Sequence, residues 1–143
     1  MSVHNGAEPR IEVLICDDNR PMREVLRDVI ELRPSLEVVG EAADGDEAVA
    51  EATRLQPNVI LLDLAMPNRT GLAAIAELGQ VAPSAAIIVF SSFAAETVAG
   101  EVLALGAVRY LEKGASPDAI NDAIEEAGVG VGARAVREAT ERR

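Results

Sequence analysis

The sequence predicts an α/β fold, with five parallel strands covered on both faces by helices. Three observations carry this. Short apolar runs alternate five times with stretches whose apolar residues recur at helical spacing. The run at 58–63 is apolar between its end residues Asn58 and Asp63, and that at 85–90 is apolar throughout, as expected of strands buried on both faces. Proline, glycine and helix-capping residues fall between these segments, where the alternation needs them.

Residues 1–10 are polar and read as a disordered lead. "IEVLIC" at 11–16 is the first strand. Met22, Val25, Leu26, Val29 and Ile30 define a helix over 20–32, stopped by Pro34. Residues 36–41 form the second strand. Asp44 is placed to cap a second helix whose apolar face is Ala48, Val49, Ala52 and Leu55, with Pro57 beyond it. Residues 58–63 form the third strand. "PNRTG" is a loop, and Leu72, Ile75 and Ala76 lie on one face of a third helix. Residues 85–90 form the fourth strand. Ala95, Val98, Ala99 and Val102 line a fourth helix, with Ser91 or Ser92 as its expected cap and Gly106 as its stop. Residues 108–111 form the fifth strand. Ile120, Ala123, Ile124 and Ala127 line a fifth helix, with Ser116 as cap and Pro117 in its first turn. The folded domain is therefore expected over 11–127. Residues 128–143 open with "GVGVG", by composition a flexible linker, and continue as a short helical tail.

Composition narrows the function. The 143 residues suit one domain with a sizeable core, and the net charge of −11 argues against general affinity for nucleic acid or anionic membrane. No apolar run is long enough to span a bilayer, so a cytoplasmic location is expected. The lone Cys16 sits in an apolar run and is expected to be buried packing.

In an open parallel sheet, ligands bind outside the carboxyl ends of the strands. The first strand ends on Asp17 and Asp18, the third on Asp63, the fourth on Ser91 and Ser92, and Lys113 lies just past the fifth. Each has a plainer reading alone, as a cap, a turn residue or a surface lysine. Independent loops, however, have no reason to bring complementary charges to one edge. Two carboxylates about 4 Å apart repel by roughly 1 to 4 kcal/mol at effective dielectrics of 80 to 20. Such a cluster is stable when protonated or when it holds a cation, and hard oxygen ligands suit Mg²⁺. A carboxylate beside Mg²⁺ can attack phosphorus, and a lysine and a hydroxyl can stabilise the charge on the transferring group.

These residues, in this order, resemble the receiver domain of two-component response regulators over roughly residues 12–127. "ICDDN" is similar to the acidic pair after the first strand. "LLDLAMPNRTGL" resembles the phosphoacceptor loop, with Asp63 followed by Pro67 and Gly71. "IIVFSS" resembles a fourth strand ending in the family's hydroxyl, here Ser91. "YLEKGASPDAI" resembles the lysine segment, with Lys113 and a switch aromatic, Tyr110. "VVGEAADGDEAV" is similar to the subfamily that usually carries a C-terminal LuxR/NarL-type helix-turn-helix. The resemblance implies a flavodoxin-like sheet of strand order 2-1-3-4-5. It implies Mg²⁺ held by Asp17, Asp18, Asp63 and the backbone carbonyl of Ala65, with Asp18 the more direct ligand and Asp17 acting partly through water. It implies that Asp63 accepts a phosphoryl group from a sensor histidine kinase and that Lys113 pairs with the phosphoryl oxygens. Ser91 would swing towards that group and Tyr110 would turn inward behind it, reshaping the face of helix 4, strand 5 and helix 5. The implied partners are the kinase and a second copy on phosphorylation, with DNA only through a helix-turn-helix domain outside this chain and no membrane.

The departures are informative. Gly114 follows the lysine where many receivers have proline, a feature shared with helix-turn-helix regulators. Ala65 and Phe93 stand where polar residues often influence phosphoaspartate hydrolysis, so self-dephosphorylation is expected to be slow. The protein is thus expected to be an acceptor rather than an enzyme. Aspartate-nucleophile phosphatases resemble "DxD", and here Ala65 replaces the second aspartate. A pseudo-receiver, binding partners without phosphorylation, is the alternative, but such domains usually lose an acidic residue, the lysine or the acceptor. No Gly-rich loop follows the first strand, which disfavours a nucleotide-binding flavodoxin-type protein.

Overall fold

A computed structural model describes the backbone of residues 9–93 and 95–141, and the side chains of all of these except 95–97 and 130–141. Most of the expected disordered lead, residues 1–8, lies outside the described residues. The chain alternates as β1 (Ile11–Cys16), α1 (Arg20–Ile30), β2 (Leu36–Ala42), α2 (Gly45–Leu55), β3 (Val59–Leu62), α3 (Gly71–Val81), β4 (Ala86–Ser91), α4 (Ala95–Leu105), β5 (Arg109–Glu112) and α5 (Pro117–Glu141). All pairings are parallel, in the order β2-β1-β3-β4-β5.

Side-chain alternation divides the core in two. Val13 and Ile15 of β1, Val59 and Leu61 of β3, and Ile88 and Phe90 of β4 face Leu26 and Ile30 of α1 and Ile120, Ala123 and Ile124 of α5. Leu14, Cys16, Ile60, Leu62, Ile87 and Val89 face α2, α3 and α4 through Ala48, Ala52, Ile75, Leu78 and Val102. Cys16 is buried, as expected, and burial pushes its thiol well above the ordinary range. Consecutive strand residues are apolar because both faces are covered.

Local chemistry sets the helix ends. The side chains of Asn19, Asp44, Thr70 and Ser116 accept hydrogen bonds from the backbone N–H of Met22, Glu47, Ala73 and Ala119, at 2.8 to 3.2 Å. α1 stops at Ile30 rather than 32 because its last turn tightens, with Leu32 N–H donating to the Val29 carbonyl and Arg33 N–H to that of Ile30. Ser91 is the buried last residue of β4, and the cap expected of Ser91 or Ser92 falls on the start of α4, next to a position outside the described residues.

The linker expected at 128–132 is a correction, because α5 continues through it to Glu141. Glycine costs about 1 kcal/mol relative to alanine in a helix interior, but each residue added to an existing helix also gains a hydrogen bond. This helix enters the glycines already docked on the sheet. Gly128 also has a packing reason, since a Cβ there would meet the Ile11 side chain at 2.8 Å.

Candidate functional site

The strand order creates the site. The chain leaves β1 towards β2 on one side and returns to β3 on the other, so the carboxyl ends of β1 and β3 flank a crevice. Ladder hydrogen bonds continue one step past the strands and fix the residues that follow. Asp17 N–H donates to the Ala42 carbonyl (3.0 Å), Asp63 N–H to that of Cys16 (2.9 Å) and Lys113 N–H to that of Ser91 (2.7 Å).

Asp17 and Asp18 lie beyond the end of β1, where strict alternation no longer applies. One carboxylate oxygen from each of Asp17, Asp18 and Asp63 lies within 4.8 Å of the others. Asp17 and Asp63 are buried, and Asp18 is exposed. Asp17 Oδ1 accepts from Asn19 N–H at 2.9 Å. Its buried Oδ2 lies 2.9 Å from Lys113 Nζ as an ion pair, without the geometry of a hydrogen bond. Asp63 Oδ1 accepts from Ala65 N–H at 3.3 Å, and Oδ2 from Lys113 Nζ at 3.2 Å.

Burial raises the Asp63 pKa above the ordinary carboxylate value, although Lys113 and the Ala65 N–H oppose it. Burial works against the Lys113 ammonium too, but contacts with Asp17 and Asp63 outweigh it and raise the lysine pKa. The pocket therefore has too few cations for its acids. A hard divalent ion fits it, because Asp17 Oδ2 is a buried oxygen without a hydrogen bond and Asp18 leaves one side open.

The loop after Asp63 is held from two sides. Gly71 N–H donates to the Leu64 carbonyl at 3.0 Å, and a Cβ on Gly71 would overlap the Asp63 carbonyl oxygen. Asn68, with φ +64°, donates from Nδ2 to Asp44 Oδ2 at 2.9 Å, and Gly45 N–H donates to the Arg69 carbonyl at 2.8 Å. Ser91 Oγ accepts from Phe93 N–H at 3.3 Å. The Tyr110 ring packs on the α2–α4 side of the core, and its hydroxyl donates to the Phe93 carbonyl. Phe93, in the segment after β4, thus touches both Ser91 and Tyr110. Gly114 has φ +117°, a conformation that favours glycine.

The structure therefore brings Asp17, Asp18, Asp63 and Lys113 together, with Ala65 directly on Asp63. Sequence reasoning missed Arg23, whose Nη1 donates to the Asp17 carbonyl at 2.6 Å, and the Asn68–Asp44 tie. Their partners lie on other segments, so periodicity gives no signal for them. Among the described residues, no helix is long and apolar enough to cross a membrane.

Comparison with known proteins agrees with this geometry. The response regulator receiver domain family matches residues 13–125. The chain is 38% identical over 120 residues to the transcriptional regulatory protein LiaR of Bacillus subtilis, covering 84% of this chain and 57% of that protein. The crystal structure of the response regulator domain of Thermotoga maritima CheB superposes with a TM-score of 0.75 at 37% identity, covering 83% of this chain and 96% of that one. A LuxR-family two-component response regulator from Aurantimonas sp. SI85-9A1 gives a TM-score of 0.80 at 30% identity, covering 85% and 86%. The chain spans little more than half the length of curated relatives such as LiaR.

Proposed function

The chain belongs to the response regulator receiver family of two-component systems, and from that premise we propose that it is a phosphoryl-accepting switch with Asp63 as acceptor. The observation that carries the reading is the buried Asp63, paired with Lys113 and facing Asp17 and Asp18 across the β1–β3 crevice. The donor is a sensor histidine kinase. Asp17, Asp18, Asp63 and the Ala65 carbonyl would hold Mg²⁺, which when bound supplies positive charge for the oxygens of the transferring group.

The residues of the chain then divide the work. Asp63 attacks phosphorus through a carboxylate oxygen, and the bond between phosphorus and the donor nitrogen breaks as the new one forms. Lys113 neutralises charge on the phosphoryl oxygens from its place 3.2 Å from Asp63 Oδ2. Ser91 Oγ exchanges its Phe93 N–H for a phosphoryl oxygen, and Tyr110, already tied to the Phe93 carbonyl, follows that loop. This transmits the change to α4, β5 and α5, where exposed Leu103, Leu105 and Val108 support an output by protein contact. Such a contact serves a second copy or a DNA-binding domain outside this chain, in the cytoplasm. Ala65 and the half-exposed Phe93 offer no polar side chain to orient water, so phosphate loss is slow.

The test is intact-mass measurement after incubation with acetyl phosphate and Mg²⁺. The expected result is a gain of one phosphoryl group, absent in Asp63→Asn. An unmodified wild type, or a mutant labelled as fast as wild type, overturns the assignment. Loss of the label within seconds overturns slow hydrolysis.

A further inference from the structure

We infer that Arg23 is a positioning residue that sets the end of β1 so that Asp17 and Asp18 can share one cation. This rests on the phosphoryl-accepting reading above. The two aspartates are consecutive, and in a continuing strand their side chains would point to opposite faces. Their convergence within 4.8 Å of a common set of oxygens requires the backbone to turn immediately after Cys16. At that turn the Asp17 N–H is still held by β2, through the Ala42 carbonyl. Its carbonyl is held by Arg23 Nη1 at 2.6 Å. Both backbone polar groups of Asp17 are thus held, and with them the two peptides that flank it.

Arg23 is itself fixed. Its Nε donates to Glu41 Oε1 at 2.8 Å, and its side chain is only 15% exposed. The other Glu41 oxygen accepts from Arg27 Nε and Nη2, at 3.0 and 2.8 Å. A planar guanidinium can span a carbonyl just past β1 and a carboxylate on β2 at once, whereas an ammonium serves one point. Arg23 also binds the carbonyl rather than a carboxylate of the acidic pair. It brings positive charge behind Asp17 without a hydrogen bond to either aspartate's carboxylate among the described residues. Arg27 shares the Glu41 anchor but has no contact with Asp17 among the described residues, which makes it the natural control.

The experiment measures Tm and acetyl-phosphate labelling as functions of Mg²⁺ concentration for wild type, Arg23→Ala and Arg27→Ala. In Arg23→Ala, the Mg²⁺ concentration for half-maximal Tm rise and labelling should increase about tenfold, the lower end of what loss of a supporting contact costs a metal site. The labelling rate at saturating Mg²⁺ should stay near that of wild type, and Arg27→Ala should keep the wild-type midpoint. If Arg23→Ala does not fold, Arg23→Lys should give a smaller shift in the same direction. An unchanged midpoint in the Arg23 variants overturns the inference, as does an equal shift in Arg27→Ala, which would assign the effect to the Glu41 cluster as a whole. A wild type that neither gains Tm with Mg²⁺ nor becomes labelled overturns the acceptor reading, and this inference with it.

Discussion

Two places in the molecule gather three carboxylates around one cation, and they behave oppositely. At the α1–α5 seam, Arg33 pairs with Asp118, Asp122 and Glu125 at 2.8 to 3.2 Å. At the carboxyl edge of the sheet, Lys113 pairs with Asp17 and Asp63, and Asp18 stands beside them. The charge balance is the same, but the burial differs. The Asp118 and Asp122 side chains are 90% and 63% exposed, and those of Asp17 and Asp63 are 2% and 5% exposed. Water screens the acids at the seam, where such pairs contribute little to stability. Little water reaches Asp17 and Asp63, so the excess of their charge over that of Lys113 is a cost that a cation or a proton relieves. An excess of acids makes a site only where the fold withholds solvent from them.

The strongest way to break this contrast is to remove the buried acceptor. Asp63→Asn should abolish labelling and also stabilise the metal-free protein, by on the order of 1 kcal/mol for one relieved like-charge pair. Chemical denaturation in EDTA checks the second effect, and a less stable mutant would contradict it.

Moving the acid rather than removing it should come next. Gly71→Ala forces a Cβ onto the Asp63 carbonyl, at a cost of about 1–3 kcal/mol as for other overpacking changes. Labelling should fall with it. A variant of wild-type Tm and labelling rate would show that the acceptor loop yields without displacing Asp63.

A smaller effect separates the regions by pH. The Asp63 pKa is raised by burial, so its protonated form is favoured in the folded protein. Its contribution is fully present below the unfolded carboxylate pKa and is lost as pH rises through the higher folded value. Glu41 is the reverse case. Burial would raise its pKa, but Arg27 and Arg23 hold it below the ordinary value. Its contribution is present above the unfolded pKa and is lost as pH falls through the folded one. In EDTA, Asp63→Asn should therefore flatten the stability profile on the side above the ordinary carboxylate range. Glu41→Gln should flatten it below. Profiles parallel to wild type in both mutants would remove the electrostatic basis of the comparison.

The smallest effect is expected at the seam. Arg33→Ala should lower Tm slightly, the loss should shrink with added salt, and labelling should be unaffected. A large loss that salt does not change would mean that this cluster is not screened.

Much of this could be read from the sequence, for a local reason. Apolar spacing within a segment decides whether it forms a helix or a strand, and five alternations leave little choice but a covered parallel sheet. The residues after each strand must then lie at one edge, which is why Asp17, Asp18, Asp63, Ser91 and Lys113 were legible as a group. Composition misled at Gly128 and beyond, because glycine lowers helix propensity but an already docked helix can carry it. Tertiary structure alone decided which of two adjacent aspartates is buried and that one residue, Phe93, contacts both Ser91 and Tyr110. It also decided that Arg23 reaches the Asp17 carbonyl while anchored to Glu41. Those facts depend on distances between segments, set by strand order and by packing of α1 on the sheet. No periodicity within a segment encodes them.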